Sequence, residues 1–181
     1  EKGTLIMRKV LYILGQLSDT DVDWLAKTGQ RIKHSKGSVL IQYGVPSDSL
    51  FFILDGEVSI QTNKGFELAR IGSGEILGEM SLVDSRPPSA SVTASEDTYV
   101  LAVSKSQLKA KLVSDTGFAA RFYRAIAIFL SERMRSTVGR MGYGSDEEDS
   151  AEEEGELDSN LLDNVHLAGA RFERLLQKSM S

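Results

Sequence analysis

The chain has 181 residues, of which 41% are hydrophobic, and its formal net charge is -5. This length allows one well-packed core with an appendage, and the absence of cysteine excludes disulfides, thiolate metal sites and a cysteine nucleophile. No apolar run approaches the roughly 20 residues of a membrane-spanning helix, and the first residues lack the pattern of a signal peptide. The sequence therefore predicts a cytoplasmic protein without a membrane partner.

The acidic charge is concentrated in one segment of the chain. Residues 146–158 contain nine acidic groups and no basic group, which leaves 17 acidic and 21 basic residues elsewhere. The rest of the chain is therefore mildly cationic. This balance suits an anionic ligand, but the excess is too small to indicate nucleic acid by itself.

The first two thirds of the chain predict short helices followed by many short strands. Residues 5–14 form an apolar helical segment, and Ser18 begins a capped helix that ends at Gly29. After Ser38, apolar or alternating runs predict strands at 39–41, 50–54, 58–61, 66–71, 91–94 and 98–103. Gly56 and Gly65 lie between successive runs and predict hairpin turns with positive φ. Such closely spaced strands predict a mainly β fold, an antiparallel barrel or sandwich with flanking helices.

The last third predicts two helices separated by an acidic linker. Apolar residues recur at helical spacing between Phe118 and Leu130 and predict a long helix from Asp115 to about Met141. We expect residues 142–158 to be a disordered linker and residues 159–181 to form an amphipathic helix capped by Ser159. Its apolar face should dock on this domain, on a second copy or on another protein. The candidate partner-binding residues are Leu161, Val165, Phe172 and Leu175.

Residues 78–94, which we call the cassette, have the chemistry that a cyclic phosphate requires. Such a group needs converging backbone N–H groups, a hydroxyl donor and usually a guanidinium. Gly78 allows close approach of the backbone, and Glu79 offers a carboxylate to a ribose hydroxyl or, alternatively, caps the helical turn. The candidate ligand-binding residues are Gly78, Glu79, Met80, Ser81, Arg86, Pro88, Ser89 and Ala90.

The chain resembles the cyclic nucleotide-binding domain family over about residues 5–140. The resemblance rests on five segments in order: 36–40, 50–58, 71–74, 78–82 and 89–94. It implies an eight-stranded β-roll, a short cassette helix, and a long C-terminal helix that caps the ligand or forms a dimer seam. It also implies backbone contacts from Gly78 and Met80, a ribose contact from Glu79, and phosphate contacts from Ser89 and Ala90.

One position departs from the family pattern. Where the family carries a phosphate-binding arginine, this chain has Pro88, and the nearest arginine is Arg86. Loss of such a partner costs on the order of 2–5 kcal/mol, or roughly 30-fold to a few thousand-fold in affinity. Arg86 either folds back over the roughly 7 Å that two residues span, or it remains solvated on the loop, where Pro87 restricts its direction.

Two hypotheses of different classes follow. The first is a sensor in which cyclic AMP, cyclic GMP or a cyclic dinucleotide moves the long helix and changes the exposure of the terminal helix. The second is a protein-interaction module that has lost nucleotide binding. The helix at 115–141 offers a homodimer seam. Its arginines at 133, 135 and 140 hold a second phosphate or an acidic partner, or are simply solvated.

Enzymatic and DNA-binding functions are not predicted. No kinase glycine loop or hydrolase elbow is present, and His34 and His166 have neither metal-ligand nor triad spacing. We therefore expect no catalytic residue, no metal and no cofactor. Only about 40 residues follow the long helix, many of them acidic, which makes direct DNA binding by this chain improbable.

Overall fold

The computed structural model describes residues 14–140 and 159–180. Eight strands and five helices lie within these ranges. The strands are β1 (Gln30–His34), β2 (Val39–Ile41), β3 (Ser49–Asp55), β4 (Glu57–Gln61), β5 (Glu67–Gly72), β6 (Ile76–Leu77), β7 (Ser91–Ala94) and β8 (Thr98–Ser104). The helices are α1 (Asp19–Thr28), α2 (Glu79–Asp84), α3 (Lys105–Ser114), α4 (Thr116–Arg140) and α5 (Ser159–Ser179). The predicted linker at 142–158 and most of the predicted helix at 5–14 lie outside the described residues.

The strands form two antiparallel four-stranded sheets, which confirms the predicted β-roll. One sheet has the order β1-β8-β3-β6 and the other has the order β2-β7-β4-β5. Apart from β4 and β5, no two neighbouring strands of a sheet are consecutive in sequence, so the chain passes repeatedly between the sheets. The cassette helix α2 is inserted between β6 and β7, so each of its ends is anchored in a different sheet.

The predicted hairpin at Gly56 is wrong, although its backbone conformation is as expected. β3 pairs with β6 and β8, whereas β4 pairs with β5 and β7. Gly56 has a φ of 94°, and it forms a corner where the chain changes sheets. A Cβ at this position would lie 2.6 Å from the Oγ1 atom of Thr98. The second hairpin, at Gly65, is confirmed because β4 and β5 pair directly.

Two hydrophobic cores share strand β3. Alternate residues of a strand face opposite sides of the sheet. Phe51 and Ile53 pack between the two sheets, whereas Leu50, Phe52 and Leu54 pack against the helices. This double burial explains why the strand reads as an unbroken apolar run.

The helices pack on the outer face of the first sheet around α1. The predicted capped start at Ser18 is confirmed, since Ser18 and Asp21 form a capping box, and the predicted end at Gly29 is also confirmed. Asp21 in addition accepts two hydrogen bonds from Arg121 of α4, at 2.6 and 3.0 Å. Phe118 and Phe122 of α4 are fully buried in the helical core. No helix in the described ranges combines the length and the apolar character needed to span a bilayer.

Three elements escaped prediction because their sequence signals are weak. β1 is an edge strand with one apolar residue, Ile32, and β6 has only two residues. α3 buries only Leu108 and Leu112 among its apolar side chains, which is too sparse a pattern to reveal a ten-residue helix. The predicted long helix is confirmed: α4 begins at Thr116, one residue after the predicted start, and is described as far as Arg140.

Candidate functional site

A cleft of about 230 Å³ lies between the cassette and the second sheet. Its apolar wall includes Ile41, Ile60, Leu77 and Val92. All eight candidate ligand-binding residues line this cleft. The structure thus brings together two parts of the cassette, residues 78–81 and 86–90, around one space.

The backbone at Gly78 directs Glu79 into the protein. Gly78 has a φ of 85° and is the N-cap residue of α2, with no side-chain capping bond. A Cβ on Gly78 would lie 3.1 Å from the carbonyl oxygen of Ser49, so a larger residue would be both strained and crowded. The turn that follows buries Glu79 to 2% exposure and leaves Met80 54% exposed. The two residues therefore have different roles: Glu79 faces inward and Met80 forms part of the rim.

An arginine of α4 binds the buried carboxylate. Arg133 donates from Nη1 to Oε1 of Glu79 at 2.6 Å and from Nη2 to the carbonyl oxygen of Ile76 at 3.2 Å. Its guanidinium also lies 4.5 Å from the ring centre of Phe129. Burial raises the pKa of the Glu79 carboxyl, and the charge of Arg133 opposes that rise. The carboxylate thus pairs with Arg133 rather than capping α2.

From the sequence, the Arg133 side chain could contact a second phosphate, an acidic partner or solvent. The structure places it instead on an internal carboxylate that is 54 residues away in sequence. Sequence patterns gave no signal for this pair, because Arg133 lies on the same helix as several other arginines. The contact uses one carboxylate oxygen, so Oε2 of Glu79 can accept a hydrogen bond from a ligand hydroxyl.

The opposite side of the cleft is open. Pro88 accepts a hydrogen bond from the N–H of Gly44 at 2.9 Å through its carbonyl oxygen. The Arg86 side chain is 84% exposed, and its Nε atom lies 3.7 Å from Oδ2 of Asp84. Ser89 is exposed on the cleft wall. The structure therefore places Arg86 at the rim, directed to a neighbouring carboxylate.

Residues 31–115 match the cyclic nucleotide-binding domain family. This part of the chain belongs to that family. The match covers the strands from β1 to β8, the cassette and α3, while α4 and α5 lie beyond it.

Relatives of the cyclic nucleotide-binding domain include regulators and channels. The chain is 35% identical over 91 residues to a cyclic AMP receptor protein of Thermus thermophilus, covering 48% of this chain and 42% of that protein. It is 33% identical over 92 residues to a cyclic nucleotide-gated potassium channel of Mesorhizobium japonicum, covering 51% of this chain and 25% of the channel. A solved cyclic nucleotide-binding domain from Methylobacillus flagellatus has a TM-score of 0.67 at 29% identity and covers 75% of this chain and 82% of that one. The chain thus spans less than half the length of these two curated relatives.

The terminal helix α5 packs against α1 of the same chain. Arg174 donates two hydrogen bonds to Asp23, at 2.6 and 2.8 Å, and Lys178 lies 2.8 Å from the same carboxylate. Arg171 binds Asp19 at 3.0 Å. The face of α5 that sequence analysis offered to a partner is therefore held, in its described part, by the chain itself.

The structure describes the side chains of two of the four candidate partner-binding residues. Leu175 is 1% exposed in the helical core, and Phe172 is partly buried against that core. These two residues thus face the chain's own interior, because α1 presents a complementary apolar surface. The side chains of Leu161 and Val165 lie outside the described residues. Among the described residues, no group of three or more histidine, aspartate or glutamate side chains is arranged to hold a metal ion.

Proposed function

We propose that this chain is a regulatory sensor whose cleft binds a cyclic nucleotide: cyclic AMP, cyclic GMP or a cyclic dinucleotide. The observation that carries the proposal is the Glu79–Arg133 pair at the cleft. A buried carboxyl that pairs with Arg133 through one oxygen and leaves the other for a ligand suits a ribose 2′-hydroxyl. Ser89 and the Ala90 N–H, on the opposite side, would contact the phosphate. The role is binding and not catalysis.

Arg133 would couple the ligand to the helices. A ribose hydroxyl that binds Glu79 changes the electrostatic environment of Arg133, which is part of α4. Arg121 joins α4 to Asp21 of α1, and α1 holds α5 through Asp23. A small displacement of α4 would therefore reach α5 through direct contacts and favour its release to a partner.

The outer face of α4 supports a homodimer. Tyr123, Met134 and Val138 are 48%, 70% and 40% exposed, and their spacing places them near one face of the helix together with Ala127. The phenylalanines of the opposite face are already buried in the protomer. A dimer through α4 would therefore use Tyr123, Met134 and Val138.

A second candidate function is a protein-interaction module that binds no cyclic nucleotide. Two observations favour it: Pro88 supplies neither charge nor N–H, and Arg86 is 84% exposed at the rim. Under this proposal the cleft no longer binds a cyclic nucleotide, and α5 is the element that binds a partner.

Isothermal titration with cyclic AMP, cyclic GMP and cyclic di-GMP separates the two candidates. The sensor proposal expects saturable binding of at least one ligand at millimolar concentration or below. Binding should also change the hydrogen exchange of α5 amides, because α5 is the proposed output. If none of the three ligands binds at millimolar concentration, the sensor proposal is rejected and the interaction module remains.

A further inference from the structure

A second cleft, of about 480 Å³, lies beside the cleft at the cassette, which we call the nucleotide cleft after its proposed ligand. It is bounded by the β2–β3 loop, the end of α2 and the first turn of α3. It shares Ser47, Ser81 and Arg86 with the nucleotide cleft. The two spaces are therefore neighbours, although their walls differ in chemistry.

Lys105, the first residue of α3, lines the second cleft and is 7% exposed. Among the described residues, its Nζ atom has no hydrogen-bond partner. This atom lies 3.6 Å from the position of a Cβ built on Gly78. Burial lowers the pKa of the Lys105 ammonium, and Lys109 acts in the same direction, while Glu79 and Asp48 oppose the shift. A buried ammonium is costly unless an anion or several acceptors accompany it.

The first turn of α3 adds further attraction for an anion. α3 has ten residues and no acidic side chain in its first turn. The backbone N–H of Lys105 donates to the carbonyl oxygen of Asp48 at 2.8 Å, and that of Gln107 donates to Oγ of the N-cap residue Ser104 at 3.4 Å. The helix end still carries partial positive charge, and the Lys105 side chain increases it. Ser104 and Ser106 place two hydroxyls, 2.9 Å apart, at the same end. One of these hydroxyls donates to the other, so the hydrogen of the second hydroxyl is left for a ligand.

The charged side chains on the other walls of the second cleft also favour an anion. Arg86 and Lys109 line the cleft with exposed side chains that are long enough to move toward a ligand. Asp48 is the only carboxylate on the wall that the structure describes. Lys105 and Lys109 therefore face Asp48 across a space rich in serine hydroxyls. Arg86 would join them by leaving Asp84, which lies 3.7 Å from its Nε atom.

We propose that this second cleft binds a phosphoryl group, held by Lys105, the first turn of α3 and the serine hydroxyls. The phosphoryl group is either free inorganic phosphate or the second phosphate of a cyclic dinucleotide that spans both clefts. The first source is independent of the proposed nucleotide function. The second source rests on it, because the remainder of the ligand then occupies the cassette.

The test of the first source is a titration of the full chain with inorganic phosphate at constant ionic strength, followed by NMR of the backbone amides. We expect saturable shifts confined to residues 104–109, and at least a tenfold weaker response in Lys105→Met. This substitution replaces a buried ammonium by an apolar chain of similar length, so it should preserve the fold. Lys64→Met, in the exposed β4–β5 turn, is the matched control and should behave as the unaltered chain.

The test of the second source compares cyclic di-GMP with cyclic AMP by calorimetry. If the cleft holds the second phosphate, Lys105→Met weakens cyclic di-GMP binding at least tenfold more than cyclic AMP binding. A Ser106→Ala variant should also weaken cyclic di-GMP binding more than cyclic AMP binding, but by less than Lys105→Met does. If Lys105→Met leaves both the phosphate response and the cyclic di-GMP affinity unchanged, the phosphoryl site is rejected, whether or not cyclic AMP binds the cassette.

Discussion

The two sides of the nucleotide cleft differ in how completely the protein has built them. On the ribose side, Glu79 is 2% exposed and is held by Arg133 from a separate helix. On the phosphate side, Pro88 offers only its carbonyl oxygen to Gly44, and the Arg86 side chain is 84% exposed. In our proposal the ribose side is thus pre-organised, whereas the phosphate side would depend on Ser89 and backbone N–H groups. In our proposal the phosphate side limits affinity, and the ribose side carries the signal.

The largest effect is expected from completing the phosphate side with Pro88→Arg. A guanidinium that pairs with the ring phosphate in a partly desolvated cleft should tighten cyclic AMP binding by roughly 30-fold or more, or about 2 kcal/mol. The backbone carbonyl that binds Gly44 is retained in the variant. Isothermal titration measures the gain.

Pro87→Arg is the matched control for that experiment, because Pro87 also lines the cleft but lies one position away. It adds the same charge and should give a much smaller gain. If Pro88→Arg and Pro87→Arg bind cyclic AMP equally, attraction by added charge explains the gain. If neither variant gains affinity, the phosphate side lacks more than one residue.

A smaller effect is expected from weakening the ribose side with Glu79→Gln. The amide keeps the size of the side chain but loses its charge, and charged hydrogen bonds exceed neutral ones by about 1–2 kcal/mol. We therefore expect binding to weaken by about tenfold. Glu132→Gln, in an exposed ion pair with Arg135 on α4, should leave the affinity unchanged. Unaltered binding by Glu79→Gln would mean that this carboxylate does not contact the ribose.

Sequence reasoning recovered the parts of the molecule that depend on local pattern. The cassette, the capping box at Ser18 and the length of α4 all follow from residues close together in the chain. Arg133 could not be assigned in this way, because its partner Glu79 is 54 residues away and its own helix carries other arginines. The change of sheet at Gly56 was missed for a related reason: a positive φ fixes a turn but not the strand that follows it.

The docking of α5 was left open by sequence for the same physical reason. An amphipathic face predicts burial, but not the surface that buries it. Only the fold shows that Asp23 of α1 is placed to receive Arg174 and Lys178. Contacts between residues distant in sequence therefore define both the Glu79–Arg133 pair, which we propose carries the signal, and the docking of the proposed output helix α5.

The smallest effect is expected from loosening α5, which tests whether the ribose side is connected to it. Hydrogen bonds from Arg174 and then Lys178 hold the pKa of Asp23 well below its usual range. A depressed carboxyl pKa stabilises the docked state fully above the ordinary pKa near 4, and that stabilisation is lost as the pH falls toward the folded-state value. Hydrogen exchange of α5 amides should therefore be faster in Asp23→Asn at neutral pH, and NMR should show α5 loosening in the unaltered chain as the pH falls below about 4.

Asp23→Asn also tests the coupling itself. If nucleotide binding favours release of α5, then prior loosening of α5 must raise nucleotide affinity by the same coupling factor. Exposed ion pairs contribute little, so the gain should be on the order of twofold. Asp97→Asn, which removes an exposed pair with Lys33 of β1, controls for the change of charge. Faster exchange in α5 with no change in affinity would show that the helix is docked independently of the cleft, and the ribose side would then have no connection to α5.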